Sequence, residues 1–128
     1  MRGIIVDTNV FLRFLLEDIP SHKKEAENLF RKAQKGRIEI IIPQIIVFEI
    51  EFILRKYYRF PVAEISSKIK SLLNAEYFQI SERLLFLKSL EIYQSKNISF
   101  VDSFLVSFAE LEGFELFSFD KKLLKTWF

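Results

Sequence analysis

Four acids are the residues of this chain best suited to chemistry: Asp7, Glu49, Asp102 and Asp120, each set in or beside an apolar run. Asp7 closes the run Gly3-Ile4-Ile5-Val6 and is followed by Thr8 and Asn9, then by Val10, Phe11, Phe14 and Leu15 at helical spacing. This predicts a buried strand passing straight into a helix, with Asp7 at the strand's C-terminal end, where open α/β sheets bind ligands. A lone aspartate there would be read first as a helix cap, its carboxylate accepting from free N–H groups. Three further acids shift that reading. Asp120 repeats the logic, as the first acid after an apolar strand-like run. Asp102 falls in the first turn of a helix with Ile98 and Val106 four residues to either side, so no helical ion pair accounts for it, although the positive helix end would favour it. Glu49 lies among Ile45, Ile46, Phe52 and Ile53; a buried, unpaired carboxylate is costly, so something positive is expected to face it. Glu51 has Arg55 at i+4 and is expected to be an ordinary exposed pair.

Composition narrows the chemistry. With no cysteine there is no disulfide, thiol nucleophile or cysteine-bound zinc, which fits a reducing cytoplasm. The single histidine, His22, sits among Lys23, Lys24 and Glu25 and reads as solvated surface. Acid or metal chemistry must then rest on carboxylates. Hard oxygen ligands on strand ends and helix starts suit Mg²⁺ or Mn²⁺, which keep several waters and meet phosphate oxygens as well. Such a site suits phosphodiester hydrolysis, by orienting a water of lowered pKa and neutralising charge on the phosphate.

The elements that must position these acids follow from periodicity. After the first strand and helix, Pro20 opens a helix to about Lys35 with Ala26, Leu29, Phe30 and Ala33 on one face, ended by Gly36. Arg37 to Ile42 reads as a strand and Pro43 to Tyr58 as a helix, the most apolar segment of the chain, expected to be buried or at an interface. Helices follow from Pro61 to Asn74, Ser81 to about Lys96 and Ser99 to Glu112, the last ended by Gly113. Short strands are expected at Tyr77 to Ile80 and at Glu115 to Phe119, and the tail from Lys121 to Phe128 has helical character. Strands alternating with helices predict an α/β fold, three layers α/β/α around a mostly parallel sheet, in one domain spanning residues 1–128. Half the residues are hydrophobic, yet no run approaches the roughly eighteen apolar residues of a membrane helix, and Met1-Arg2 leads straight into a strand rather than a signal peptide. Fifteen phenylalanines exceed what one small core needs and point to an oligomer or a protein partner.

In order and context, "IIVDTNVFLRFLL", "PQIIVFEIEFIL", "SFVDSFLVSFAE" and "LFSFDKKL" resemble the PIN-domain family, in particular its small stand-alone toxins of the VapC type. The resemblance runs over essentially the whole chain. It implies an α/β/α fold, Mg²⁺- or Mn²⁺-dependent endoribonuclease activity, dimerisation, and neutralisation by a separately encoded antitoxin. The family's four acids fall on Asp7, Glu49, Asp102 and Asp120, as catalytic and metal-binding residues. Its small polar residues fall on Thr8, Asn9 and Ser118. Ser99 stands where many relatives carry a further aspartate, and the tail after Asp120 is short.

Net charge is only +2, but Arg13, Arg55, Lys56, Arg59, Lys121, Lys122 and Lys125 are cations that could hold RNA phosphates without reading bases. Three other readings stay open. A haloacid-dehalogenase-like phosphatase also starts with a strand ending in Asp, but it resembles D-x-D where this chain has Asn9. A catalytically silent PIN-like module would only bind RNA or protein, and DNA is an alternative nuclease substrate.

Overall fold

The structure, a computed structural model, describes residues 2–16 and 20–126. Among the described residues there are three strands and seven helices, in the order β1 (Arg2–Ile5), α1 (Thr8–Leu16), α2 (Pro20–Gln34), β2 (Ile38–Ile42), α3 (Gln44–Lys56), α4 (Val62–Asn74), β3 (Phe78–Ile80), α5 (Arg83–Ser95), α6 (Phe100–Glu112) and α7 (Lys121–Thr126). Each expected helix is present within a residue or two, and the three strands form one sheet in the order β1-β2-β3. Both pairings are parallel, with Arg2 opposite Ile38 and Ile40 opposite Phe78, so each connection crosses over through helices. This is the α/β architecture that the alternation of patterns requires.

The central strand is covered on both faces: Ile38, Ile40 and Ile42 are buried and the intervening Glu39 and Ile41 are half-buried. Two aromatic clusters fill the adjoining spaces. Phe11, Phe30 and Phe78 lie with ring centroids 5.1–5.7 Å apart between α1, α2 and β3. Phe48 stands edge-on to Phe86, Phe100 and Phe104 at 5.0–5.5 Å, tying α3 to α5 and α6. Rings in such edge and offset arrangements add to the stabilisation from burial alone. The turn into α5 is held by Arg83, whose guanidinium donates to the carbonyls of Leu73 and Ala75 at the end of α4 and of Phe78 in β3. Gly113 ends α6 with φ 70°, a left-handed conformation that a side chain would strain.

Two expectations are corrected. β1 is not buried on both faces: Ile5 is 68% exposed, and only the following Val6 is in the core. Gly3 and Ile5, on one face of the strand, are exposed, while Ile4 on the other is half-buried against the core, so β1 is covered on one face. Nor do residues 115–119 form a strand. The alternation of Glu115-Leu116-Phe117-Ser118-Phe119 has the right period, but a strand needs a ladder partner, and among the described residues none is paired with this segment. Phe117 and Phe119 are instead almost fully exposed. Residues 127 and 128 of the expected tail lie outside the described residues.

Candidate active site

β1 ends at Ile5, Val6 anchors the chain in the core, and Asp7 emerges exposed beyond the C-terminal edge of the sheet. Its carboxylate accepts from the Val10 N–H at 3.4 Å, so Asp7 does act at the start of α1 in the manner of a cap. Thr8 is buried, and its hydroxyl donates to the Glu49 carboxylate. This bond joins the strand end to α3, which leaves the same edge of the sheet after β2. The residue next to Asp7 thus reaches Glu49, while the Asp7 carboxylate itself is engaged at the start of α1.

Glu49 is exposed rather than enclosed, because the face of α3 that it shares with Ile45 and Phe52 is left open although it is largely apolar. The buried acid on this helix is Glu51, 4% exposed, which accepts from the Tyr93 hydroxyl at 2.7 Å and from Arg55 Nε at 2.8 Å. The expectation of an ordinary exposed Glu51–Arg55 pair is therefore overturned. Only the arginine is half exposed, and a tyrosine from α5 completes the carboxylate's partners. The Glu51 hydrogen bond raises the pKa of Arg55. Burial, and then the same carboxylate, push the Tyr93 phenol well above its ordinary range. Nothing in the sequence around Glu51 signals Tyr93, which is 42 residues away.

Asp102 is half-buried in the first turn of α6. Ser99 caps that helix, its Oγ accepting from the Asp102 N–H at 3.1 Å, so the residue standing in place of a further acid has a structural task. Asp120 starts α7, where its carboxylate accepts from the N–H groups of Lys122 at 2.9 Å and Leu123 at 3.3 Å, while Ser118 Oγ accepts from the Asp120 N–H at 2.9 Å. α6 packs against α3, and α7 against α6. The structure ties Glu49 to Thr8, the residue after Asp7; it draws no three acidic or histidine side chains among the described residues close enough to share an ion.

The donors nevertheless fit a hard divalent cation in kind, being carboxylates and a hydroxyl, and Mg²⁺ is commonly held by one or two protein carboxylates with waters and phosphate oxygens completing the shell. Asp7 and Glu49 would supply that minimum.

Of the candidate RNA-contacting cations, Arg13 lines a cleft of about 560 Å³ that begins at Asp7 and Asn9. Arg55 is engaged by Glu51, and Lys56, Arg59, Lys121, Lys122 and Lys125 are exposed. The same cleft is lined by His22, which sequence context assigned to plain surface. It is exposed on α2, on the wall of the cleft that Asp7 also lines.

No helix among the described residues is long and apolar enough to cross a membrane. The chain is similar to a protein of Aquifex aeolicus (strain VF5) called VapC ribonuclease, with 23% identity over 128 residues that cover 97% of this chain and 92% of that protein. The PIN-domain family model matches residues 4–127, a span that takes in all four acids and every strand but the first two residues of β1. By that match, over a parallel sheet with Asp7 at its C-terminal edge, the chain belongs to the PIN-domain family.

Proposed function

We propose that this chain is a divalent-metal-dependent endoribonuclease, the toxin of a toxin–antitoxin pair, acting on RNA in the cytoplasm. The observation that carries the reading is the Thr8 hydroxyl bound to Glu49, which ties α3 to the residue after Asp7 at the C-terminal edge of the sheet, where Asp7 lines an open cleft. The similarity to a protein named VapC ribonuclease supports it.

Asp7 and Glu49 would hold Mg²⁺ or Mn²⁺, with Asp102 and Asp120 completing the acidic set from α6 and α7 when metal and substrate are bound. When bound, such an ion would supply a water of lowered pKa and offset charge on the phosphate. The chain's own part is positioning. Thr8 fixes the rotamer of Glu49, Val6 and Phe11 anchor the backbone on either side of Asp7, and Ser118 orders the turn that presents Asp120. Arg13 and the exposed lysines and arginines around the site would hold the flanking phosphates. The chain works as a homodimer, and an antitoxin silences it by placing an arginine or lysine among the acids.

One observation favours a second reading, a module that binds RNA or protein without cleaving. Asp7, Asp102 and Asp120 all lie at helix starts, and two of them accept capping bonds. A single assay separates the two. Purified protein cleaves RNA in Mg²⁺ or Mn²⁺, stops in EDTA, and is not supported by Ca²⁺, whose looser coordination activates water less well. Asp7→Asn abolishes cleavage with the melting temperature of the metal-free protein unchanged or raised, because repulsion among the acids is relieved. Full activity in EDTA, or a folded and active Asp7→Asn protein, overturns the metal-dependent reading.

A further inference from the structure

α1 and α2 pack along one another, and beside Asp7 the seam between them opens into the cleft of about 560 Å³. Each helix contributes polar groups at facing positions: Asn9 and Arg13, four residues apart on α1, and His22 and Glu25, three apart on α2. Val10, Ala26 and Leu29 form an apolar floor between them. We propose that this cleft receives the base of the nucleotide next to the cleaved phosphate and selects guanine there. The proposal deepens the ribonuclease reading and rests on it for the position of the cut.

Size, charge and hydrogen-bonding capacity converge on a base. The volume lies within the roughly 300–1,000 Å³ of small-ligand sites, enough for one nucleotide and far too little for a duplex. The walls carry two carboxylates, Asp7 and Glu25, against the one guanidinium of Arg13, so the cleft has no surplus of positive charge to draw a phosphate chain through it. A neutral, flat ring with a polar rim suits these walls better. The aliphatic floor would cover one face, and the planar imidazole of His22 and guanidinium of Arg13 are groups on which unstacked bases settle. The edge is then read by Glu25, whose carboxylate is an acceptor with two oxygens and no donor. Guanine alone among the four bases presents two adjacent donors, N1–H and the N2 amine, to match it. Uracil offers one N–H between two carbonyls. Adenine and cytosine set one amine beside a ring acceptor that a carboxylate repels.

The test uses the Asp7→Asn protein, so that RNA is bound without being cut, and four fluorescent pentanucleotides identical except for a central G, A, C or U. The G oligomer is expected to bind at least tenfold more tightly than the U oligomer. Adding Glu25→Gln, which keeps the shape but turns one acceptor into a donor, should remove that preference, while Glu64→Gln on exposed α4 surface leaves it intact. Equal affinity for all four oligomers, no measurable binding of any, or a preference unchanged by Glu25→Gln overturns the proposal. Binding is read apart from cleavage, so the two readings fail separately. Guanine preference without RNA hydrolysis by the native protein removes the ribonuclease and keeps the cleft. Metal-dependent hydrolysis with no base preference does the reverse.

Discussion

Glu49 and Glu51 stand two residues apart on α3, and about 200° of helical rotation sends one toward Thr8 and the other toward Tyr93. Their roles therefore separate. Glu49→Gln should lower RNA cleavage at least about a hundredfold, the scale typical of losing a preorganised electrostatic contact, with little change in melting temperature. Glu51→Gln should act on stability instead, costing about 1–3 kcal/mol because it weakens hydrogen bonds to a buried charge, discounted toward the low end by the half-exposed Arg55. Paired cleavage assays and thermal melts check this, and equal activity losses would overturn the assignment of Glu49. Sequence reasoning identified which two acids to compare but inverted their burial. Arg55 at i+4 was visible as a neighbour of Glu51, whereas the partners that decide burial, Thr8 and Tyr93, come from 41 and 42 residues away. Helical spacing carries information over one turn and cannot report on another element.

Contacts between elements decide the next level. The Tyr93 hydroxyl bound to Glu51 ties α5 to α3 on the side of α3 away from Glu49. Its phenol pKa is raised in the folded protein above the ordinary value of 10.0, by burial first and by Glu51 second. A raised folded pKa means the stabilisation is complete below the unfolded value and is lost as pH climbs through the folded one. Melting temperature should therefore fall above about pH 10 more steeply in the native protein than in Tyr93→Phe, as scanning calorimetry between pH 9 and 11 would show. Below pH 9 Tyr93→Phe should be the less stable of the two, by about 1 kcal/mol for one lost hydrogen bond. Identical pH profiles would mean that Tyr93 is not sheltered. The helices and the first three strands were legible because their apolar periods run over whole faces, with Pro20, Pro43 and Pro61 opening and Gly36 and Gly113 closing them. Residues 115–119 were misread because a period of two states which residues share a face, and says nothing about whether a neighbouring strand is there to pair.

At the scale of the whole molecule, Val101, Leu105, Phe108 and Leu111 leave an apolar stripe exposed along α6, with Leu84 and Phe114 nearby. A 15.3 kDa monomer rarely keeps this much exposed, and light scattering of the purified protein should return twice the chain mass. Leu105→Glu, which puts a charge in the middle of the stripe, should shift that mass toward the monomer. A native protein that stays monomeric at tens of micromolar would argue against the proposed dimer. The all-parallel sheet has another consequence, in time rather than in space. β1 meets β2, and β2 meets β3, only after more than thirty intervening residues have been gathered into helices. Contacts of such sequence separation are slow to form, because loop closure must precede any gain from pairing. The helices, whose contacts are local, should then appear early on the folding pathway, with the edge strand that carries Asp7 docking late. During that interval the run Ile4-Ile5-Val6 is unpaired and open to other chains, so refolding yield should decline with protein concentration while the native state stays soluble.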